Sequence, residues 1–388
     1  MRIAFWLSAA FVVYVYLGYP VVLMAWVRLR GLRQRSARLS AERPQELPGV
    51  SIVIAARNEA RHLTARIENL LALDYPADRR QIIVVSDGST DATVEVLARF
   101  GDAVETVALP HGGKAVALNA GVACARHEVI VFADARQTFA PDALRALVAP
   151  LADPGVGGVT GELLLDCEAG GERRRKDRRK VAGAAYSSRD RRTKERRTLQ
   201  STIRDGVSIY WRYEKLLRRL ESAIGSTVGA TGAIYALRRS LWQPLPPEAL
   251  LDDVLAPMRA VLARRRMVFE ERAKAFDGTT TGSAAEMRRK IRTLAGNVQL
   301  LWLEPRLVLP LVNPVWLQFC SHKLARLLVP YALLALLAAN MALAAEHLFY
   351  AVTLAGQCAF YMLGGYGAWL EWQGVAPVSA LEPQESRT

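Results

Sequence analysis

Hydrophobic residues follow two kinds of pattern along this chain. At both ends they form long uncharged runs, and between about residues 50 and 165 they form short runs separated by stretches with helical spacing. Short apolar runs that alternate with amphipathic helices are typical of a parallel sheet with helical crossovers. The pattern therefore predicts an α/β domain flanked by membrane-spanning segments.

The α/β part contains four predicted strands, which alternate with helices in a βαβαβαβ order. The strands are the buried apolar runs "VSIVIAA" (50–56), "QIIVVSD" (81–87), "AVETVALP" (103–110) and "EVIVFAD" (128–134). Right-handed crossovers would make this sheet parallel, and ligands of such sheets bind beyond the carboxyl ends of the strands. The polar residues that follow the strands are therefore candidates for a binding site: Arg57, Asn58, Glu59, Asp87 and Asp134.

The uncharged terminal runs are long enough to cross a bilayer. Three of them predict transmembrane helices: Ile3 to Val27, Leu327 to Ala345, and Leu348 to Leu370. The first run is too long for a signal peptide and indicates an anchor. A shorter run, Leu307 to Ser321, contains two prolines and is interpreted as an interfacial segment.

The charges next to these runs predict the topology. Five arginines lie between residues 28 and 38, directly after the first span, and Lys323 and Arg326 precede the second. Only Glu346 and His347 separate the second span from the third. The positive-inside rule then places the α/β domain in the cytoplasm of a multi-pass protein of the cytoplasmic (inner or plasma) membrane.

The net charge of +14 is unevenly distributed, because residues 172–197 hold thirteen Lys or Arg and four Asp or Glu, a net of +9. This basic insertion has little apolar periodicity, which predicts a loosely ordered loop. It is either a solvated insertion or an attraction site for anionic headgroups. Nucleic-acid binding is not expected, since the insertion has one aromatic residue, Tyr186. The four cysteines show no zinc or disulfide spacing.

Two polar motifs follow the second and third strands. In "SDGSTDAT" (86–93), Asp87 can accept hydrogen bonds from a base or ribose, and Ser89 or Thr90 can cap the next helix. In "HGGKAVALNAG" (111–121), Lys114 stands at a helix start, where amides and an ammonium group favour a phosphate. The alternatives are an ordinary turn and a solvated lysine. The chain has neither a Walker motif nor a GxGxxG motif, which disfavours P-loop and dinucleotide enzymes.

A family resemblance emerges from seven motifs in order. They are "SIVIAARNEA", "VVSDGSTDAT", "GGKAVALNAG", "FADA", "GATGAIYALRRSLW" (229–242), "LLDDVLAPMRAVLARRRMVFEERAKAFD" (250–277) and "EMRRKIRTLAGNVQLLW" (286–302). Over residues 48–302 the chain resembles family 2 glycosyltransferases with the GT-A fold. It is most similar to the membrane-bound branch that contains the cellulose, hyaluronan and poly-N-acetylglucosamine synthases.

The resemblance implies a role for individual residues. Glu59 and Asp87 would contact the uridine of a UDP-sugar, with Arg57 beside them, and Lys114 would face the nucleotide or its phosphates. Asp134 would hold a divalent metal, Mg or Mn, that bridges the diphosphate. The acceptor site would be shaped by Gly229, Thr231, Gly232 and Asp252, and Asp253 would be the general base.

Two positions depart from the family pattern. Family members usually have Asp-x-Asp at the metal position, and here Arg136 is the third residue. Asp134 alone can hold magnesium with phosphates and water, or Arg136 can bind the phosphates, or the site is inactive. The Gln-x-x-Arg-Trp motif is replaced by a stretch with Arg289 and Arg292, and its Trp is absent. Both arginines are expected to contact the nucleotide-sugar.

The expected protein is an inverting glycosyltransferase that moves a sugar from a UDP-sugar to a lipid-linked or polysaccharide acceptor at the cytoplasmic membrane face. Membrane lipids, and an export partner or a second copy of the chain, are expected partners. The alternative is an inactive nucleotide-sugar-binding scaffold or regulator. The predicted parts are an anchor (1–30), a GT-A domain (48–302, with an insertion at 168–200), an interfacial segment (303–322), two spans (323–372) and a tail (373–388).

Overall fold

A computed structural model describes residues 1–34, 46–165, 210–277 and 283–372. The basic insertion lies outside the described residues. The chain forms two compact units. The span unit comprises Met1–Val21, Thr280–Leu294 and Ser321–Thr388, and the sheet unit comprises Val22–Thr279 and Ala295–Cys320.

In the part of the sheet unit that the structure describes there are eight strands: β1 (Val50–Ala56), β2 (Arg80–Asp87), β3 (Glu105–Leu109), β4 (Val129–Ala133), β5 (Thr138–Phe139), β6 (Val156–Leu165), β7 (Ile234–Arg238) and β8 (Arg266–Asp277). Its helices are α3 (Ala60–Leu71), α4 (Thr93–Ala98), α5 (Lys114–Ala123), α6 (Ala143–Val148), α7 (210–224) and α8 (Asp252–Leu262). The predicted α/β class with a mostly parallel sheet is confirmed.

The strand order is β3-β2-β1-β4-β7-β6-β8-β5. The first four strands are parallel, and β7 is antiparallel to both of its neighbours. The chain leaves β1 toward β2 on one side and later returns to place β4 on the other side. This reversal of direction opens a crevice beyond the carboxyl ends of β1 and β4, where such sheets bind ligands.

The apolar runs of the sequence form the core. β1, β2 and β4 are almost wholly buried, as expected for parallel strands that are covered on both faces. Helix α3 presents Leu63, Ile67 and Leu70 to this core at the i, i+4 and i+7 spacing of one helix face. The strand ends are therefore held by a rigid scaffold.

Helix α9 (Ser283–Leu303) begins in the span unit and ends in the sheet unit. Its last turns pack against the segment that leads into α8. A Cβ atom added at Gly296 would lie 2.5 Å from the side chain of Leu251. The side chain of Gln299 accepts a hydrogen bond from the amide of Leu250 and donates one to the carbonyl of Glu248.

Among the described residues, three helical stretches are long and apolar enough to span a membrane: Arg2–Leu29, Trp316–Leu343 and Leu348–Gly367. The helices that contribute to them are α1 (Arg2–Val13), α2 (Tyr19–Gln34), the short α10 (Trp316–Phe319), α11 (Ala325–Leu343) and α12 (Leu348–Trp372), of which α2 and α12 continue past the end of their stretch. The second stretch starts at Trp316, inside the predicted interfacial segment.

Within the span unit, α1 packs along α11. Arg2 forms an ion pair with Glu346 at 2.8 Å, and the ring of Phe5 meets the ring of Tyr350 edge-on. The N-terminus and the loop between α11 and α12 therefore lie at the same end of this unit. The predicted topology requires that arrangement.

Candidate functional site

The loops that follow β1 and β2 are joined at the carboxyl edge of the sheet. Asn58 adopts a left-handed conformation with φ of 55°, which asparagine tolerates. Its amide donates to the hydroxyl of Ser89, and its side-chain oxygen accepts from the amide of Thr90. The expectation that Ser89 or Thr90 caps the next helix is wrong, because the N-cap residue of α4 is Ala92, the carboxylate of Asp91 accepts from the amide of Thr93, and Ser89 and Thr90 bind Asn58 instead.

Asp87 ends β2 and is almost fully buried. Its carboxylate accepts hydrogen bonds from the amides of Gly112 and Gly113 and from His111. Burial alone would raise the pKa of Asp87, but these hydrogen bonds outweigh it and hold the pKa below its ordinary value. The next residue must be glycine, since Gly88 has φ of 60° and an added Cβ would lie 2.6 Å from the amide of His111.

Arg57, His111 and Asp87 form a chain of hydrogen bonds. Arg57 Nη1 lies 3.0 Å from His111 Nε2, and His111 Nδ1 lies 2.9 Å from Asp87 Oδ2. A guanidinium group can only donate, so Nε2 accepts and Nδ1 carries the proton that is donated to Asp87. The structure therefore brings Arg57 and Asp87 together through a histidine that the sequence analysis did not single out.

Arg136 is paired with Glu59. Its Nε atom lies 2.9 Å from Oε1 and 3.1 Å from Oε2, and its Nη2 atom lies 2.8 Å from Oε1. The hydrogen bond that Arg136 donates to Glu59 raises the pKa of the guanidinium, and burial lowers it by less, so the pKa lies above its ordinary value. Arg136 thus contacts Glu59, a residue that is predicted to bind the nucleotide-sugar. Direct contact of Arg136 with a phosphate stays a prediction.

Lys114, the first residue of α5, joins two carboxylates. Its Nζ atom lies 3.4 Å from Asp134 Oδ1, beyond β4, and 3.2 Å from Asp252 Oδ2, at the start of α8. Burial opposes the charge of this lysine, but the carboxylates of Asp134, Asp252 and Asp253 outweigh it and raise the pKa of Lys114. The ammonium group therefore stays charged and brings together acidic residues from two distant parts of the chain.

Asp253 lies in the first turn of α8 and is half-buried. The acceptor loop that the sequence predicted packs against it: the amide of Ala230 donates to the carbonyl of Asp253. A Cβ atom added at Gly232 would lie 3.3 Å from Asp253 Oδ2, and one added at Gly229 would lie 3.5 Å from the Asp253 carbonyl. Thr231 is buried, and its amide is held by the hydroxyl of Thr160.

Two buried residues lie behind the acidic cluster and were missed. Tyr235 on β7 stacks on Phe132 of β4, and its hydroxyl is buried with no hydrogen-bond partner among the described residues. Burial, followed by the charges of three nearby aspartates, raises its pKa well above the ordinary value. The Arg66 guanidinium lies over the ring of Phe139, and burial lowers its pKa to about 9 against the attraction of Asp134. No sequence motif marks either residue.

Arg289 and Arg292 are exposed on the part of α9 that belongs to the span unit. Their predicted contact with the nucleotide-sugar stays a prediction.

The acidic residues fit a divalent ion that takes most of its ligands from a substrate. The described residues contain no group of three or more His, Cys, Asp or Glu side chains that could hold a metal by themselves. The Asp134 side chain is 39% exposed beyond β4. One accessible carboxylate suits magnesium, which uses one or two carboxylates together with phosphate oxygens and water.

Comparisons with known proteins show what this domain is similar to. Residues 51–220 match the family described as Glycosyl transferase family 2. Beta-monoglucosyldiacylglycerol synthase from Synechocystis sp. is 29% identical over 153 residues, which are 34% of this chain and 32% of that protein. Poly-beta-1,6-N-acetyl-D-glucosamine synthase from Staphylococcus aureus is 32% identical over 120 residues, which are 30% of this chain and 29% of that protein. The matches span about a third of these relatives.

A solved structure shares the fold over nearly the whole chain. Mannosyltransferase PcManGT from Pyrobaculum calidifontis, solved in complex with GDP-Man and Mn2+, superposes with a TM-score of 0.63 and 21% sequence identity. The alignment covers 96% of each chain. This likeness confirms the predicted GT-A fold.

Proposed function

We propose that this chain, whose residues 51–220 match the glycosyl transferase family 2 description, transfers a sugar from a UDP-sugar, with inversion, to a lipid-linked or polysaccharide acceptor at the cytoplasmic face of the membrane. The observation that carries the proposal is the convergence of Asp134, Lys114 and Asp252 at one edge of the sheet, with Asp253 beside them. A carboxylate in this crevice can take a proton from an acceptor hydroxyl, and a cation beside it can stabilise the charge of a departing diphosphate.

Asp253 is the general base of this proposal. Its carboxylate takes the proton of an acceptor hydroxyl while that oxygen attacks the anomeric carbon of the donor from the side opposite the diphosphate. The bond from the acceptor oxygen to the anomeric carbon forms as the bond to the diphosphate oxygen breaks. The electron pair leaves with the nucleoside diphosphate, and the proton stays on Asp253. The packing of Gly232 against this carboxylate supports an acceptor site next to it.

Lys114 is the cation that faces the departing phosphates. Its ammonium group already balances Asp134 and Asp252, so a fixed positive charge lies where negative charge grows in the reaction. Asp134 would hold the divalent ion, which supplies charge neutralisation to the diphosphate. Asp252 keeps Lys114 in place, and the adjacent Asp253, about 100° further around the helix, is directed elsewhere.

Donor recognition is assigned to Glu59, Asp87 and Arg57, which follow β1 and β2. The low pKa of Asp87 keeps its carboxylate ionised, so it accepts hydrogen bonds from a base or ribose across the physiological range. Since the Arg136 guanidinium is held by Glu59, phosphate contact falls in this proposal to Lys114 and to the divalent ion that Asp134 would hold. Arg136 then orients Glu59, which leaves Asp134 as the one metal ligand.

The acceptor class is proposed from the membrane spans and the relatives. One relative is named for a glucosyldiacylglycerol and the other for a polysaccharide, and both products are made from acceptors that a membrane enzyme can hold. Three spans make a narrow pore for a growing chain. Transfer of a single sugar, or synthesis together with an export partner or a second copy, is therefore as compatible with the structure as autonomous secretion.

The test is a donor screen on full-length protein in membranes. UDP- and GDP-sugars are supplied with magnesium, with manganese and with a chelator, and release of the nucleoside diphosphate and incorporation of the sugar are measured. We expect turnover with a UDP-sugar that falls at least about 100-fold in Asp253→Asn while donor binding persists. The matched control is Asp102→Asn, an exposed aspartate that belongs to none of the motifs.

Two results would count against this proposal. Turnover that survives Asp253→Asn would remove the assigned base. Tight donor binding with no transfer under any metal condition would favour the nucleotide-sugar-binding scaffold. Turnover with GDP-sugars alone would correct the donor class and leave the roles of Lys114 and Asp253 in place.

A further inference from the structure

A second pocket lies in the sheet unit at the edge opposite the catalytic crevice. It has a volume of about 190 Å³. Its lining includes Trp26, Gly225, Val315 and the three consecutive arginines Arg264 to Arg266. Arg266 begins β8 and pairs in register with Val156, the first residue of β6, so this is the edge where the parallel strands begin. Val261, near the end of α8, lines the pocket, and nine residue steps along the helix separate it from Asp252, a length of about 14 Å at 1.5 Å per residue.

Two residues of the lining lie near the ends of candidate membrane spans. Trp26 is three residues from the end of the first span, Arg2–Leu29, and Gln318 is two residues from the start of the second, Trp316–Leu343. Tryptophan is enriched at the boundary between a bilayer and water. The neighbouring loop exposes apolar side chains, with Leu311 at 91% and Leu309 at 47% of full exposure. These features of the lining suit contact with a membrane lipid.

The arginines of the pocket carry charge that the sheet unit does not fully balance. Arg266 is paired with Asp153. Arg264 donates to the carbonyl of Leu311 and Arg265 to the carbonyl of Pro154, and among the described residues neither has a carboxylate within ion-pair distance. Guanidinium groups bind phosphate oxygens in a forked geometry. Two such groups beside a tryptophan suit a phosphate that is attached to an apolar tail.

The backbone of Arg264 indicates that its side chain is retained for binding. The amide of Arg265 donates to the carbonyl of Ala260, and the amide of Arg264 donates to the carbonyl of Val261, which is a Schellman motif at the end of α8. The residue in the left-handed position of this motif is usually glycine, yet here it is Arg264 with φ of 62°. Arginine is less favourable than glycine in that conformation, so folding alone does not account for it.

We propose that this pocket binds the phosphate headgroup of an anionic phospholipid from the surrounding bilayer. Arg264 and Arg265 contact the phosphate oxygens, and the acyl chains leave along Trp26 and the exposed loop at Leu311. The site goes beyond the proposed transfer reaction, because it lies at the far end of α8 and holds a lipid that is not consumed.

The test uses full-length protein in a neutral detergent. Dioctanoyl-phosphatidylglycerol, dioctanoyl-phosphatidylcholine and inorganic phosphate are titrated separately, with affinity measured by calorimetry and the unfolding temperature by scanning fluorimetry. We expect phosphatidylglycerol to bind and to raise the unfolding temperature, and the other two compounds to bind at least about 10-fold more weakly. Equal binding of the two lipids, or of inorganic phosphate, would overturn the proposal.

Arg264→Gly separates binding from folding. Glycine relieves the left-handed conformation, so the unfolding temperature without lipid should stay the same or rise, while the affinity for phosphatidylglycerol falls at least about 10-fold. Arg99→Gln, which removes an exposed arginine outside the pocket, is the matched control and should keep wild-type affinity. An Arg264→Gly protein with wild-type affinity would refute the assignment.

Gly225→Leu tests the pocket without changing its charge. A Cβ atom added at Gly225 would meet no atom within 4 Å, and this glycine lines the pocket. The leucine side chain of the variant should therefore be accommodated by the fold, and it should occupy space in the pocket that the lipid needs. We expect weaker binding of phosphatidylglycerol with all three arginines present, and unchanged affinity would contradict the proposed location.

Discussion

The ammonium group of Lys114 lies 3.2 Å from the carboxylate of Asp252. One residue starts α5 and the other starts α8, so the contact joins the helix behind the predicted phosphate position to the helix that carries the predicted base. A helix N-terminus favours negative charge. This suits the carboxylate of Asp252 at the start of α8 and a diphosphate that faces Lys114 at the start of α5. The lysine balances the acids in the absence of a donor and is in position to face a diphosphate when one binds.

Lys114→Met should weaken donor binding more than it weakens the fold. Methionine keeps the length of the side chain, but Asp134 and Asp252 lose the cation between them. We expect the Kd for the nucleoside diphosphate, measured by calorimetry with magnesium present, to rise at least about 10-fold. Lys114→Arg keeps the charge and should recover part of the affinity. Equal affinity in Met, Arg and wild-type proteins would exclude a phosphate role.

Asp87→Asn should change how stability depends on pH. The pKa of Asp87 is below its ordinary value of 3.8, so the unfolded chain takes up a proton at a higher pH than the folded protein does. The stabilisation that the ionised Asp87 gives to the folded protein is complete at pH values above 3.8. It is lost as the pH falls through the lower pKa that Asp87 has in the folded state. Unfolding temperatures between about pH 7 and pH 3 should fall more steeply for wild type than for Asp87→Asn. Parallel curves would mean that the carboxylate contributes no such linkage.

Gly232→Ala should slow the reaction without changing donor affinity. The added Cβ would lie 3.3 Å from Asp253 Oδ2, so the carboxylate must move by a few tenths of an ångström. Small displacements of a catalytic group reduce rates strongly, and we expect kcat to fall several-fold, to about 10-fold. Steady-state kinetics should show an unchanged KM for the donor. A change in KM alone would place Gly232 in the donor site.

Arg136 and Glu59 should be coupled in a double-mutant cycle. The Arg136 side chain is 44% exposed and the Glu59 side chain 13%, so solvent screens the pair. Unfolding of Arg136→Ala, Glu59→Gln and the double variant should give a coupling energy of about 0.5–1 kcal/mol. Donor affinity should be lost to the same extent in both single variants if Arg136 acts through Glu59. A larger loss in Arg136→Ala would show that the arginine also binds the donor.

The parallel half of the fold was predictable because its strands are short, apolar and buried on both faces. The position of Asp87 and Asp134 at one edge followed from parallel geometry alone. The antiparallel β7 and the long β8 were not predicted, since β8 has burial that varies along its length and contains five charged residues between Glu270 and Asp277. Strands of that kind depend on their neighbours for their conformation.

The partners of the site residues could not be predicted from the sequence. Glu59 and Arg136 are 77 positions apart, and nothing in either motif specifies that they pair. His111 stands directly before a recognised glycine pair, so its position next to Asp87 had a signal that went unused. Tyr235 had none, because its relation to the aspartates comes from the pairing of β7 with β4.

The absence of a side chain at Gly296 has a mechanical consequence. A single methyl group there would collide with Leu251, the residue that precedes the two aspartates of α8. The hydrogen bonds of Gln299 to Leu250 and Glu248 add a second attachment to the same segment. These contacts attach the last turns of α9 to the segment before Asp253, so a tilt of that helix would displace the proposed base.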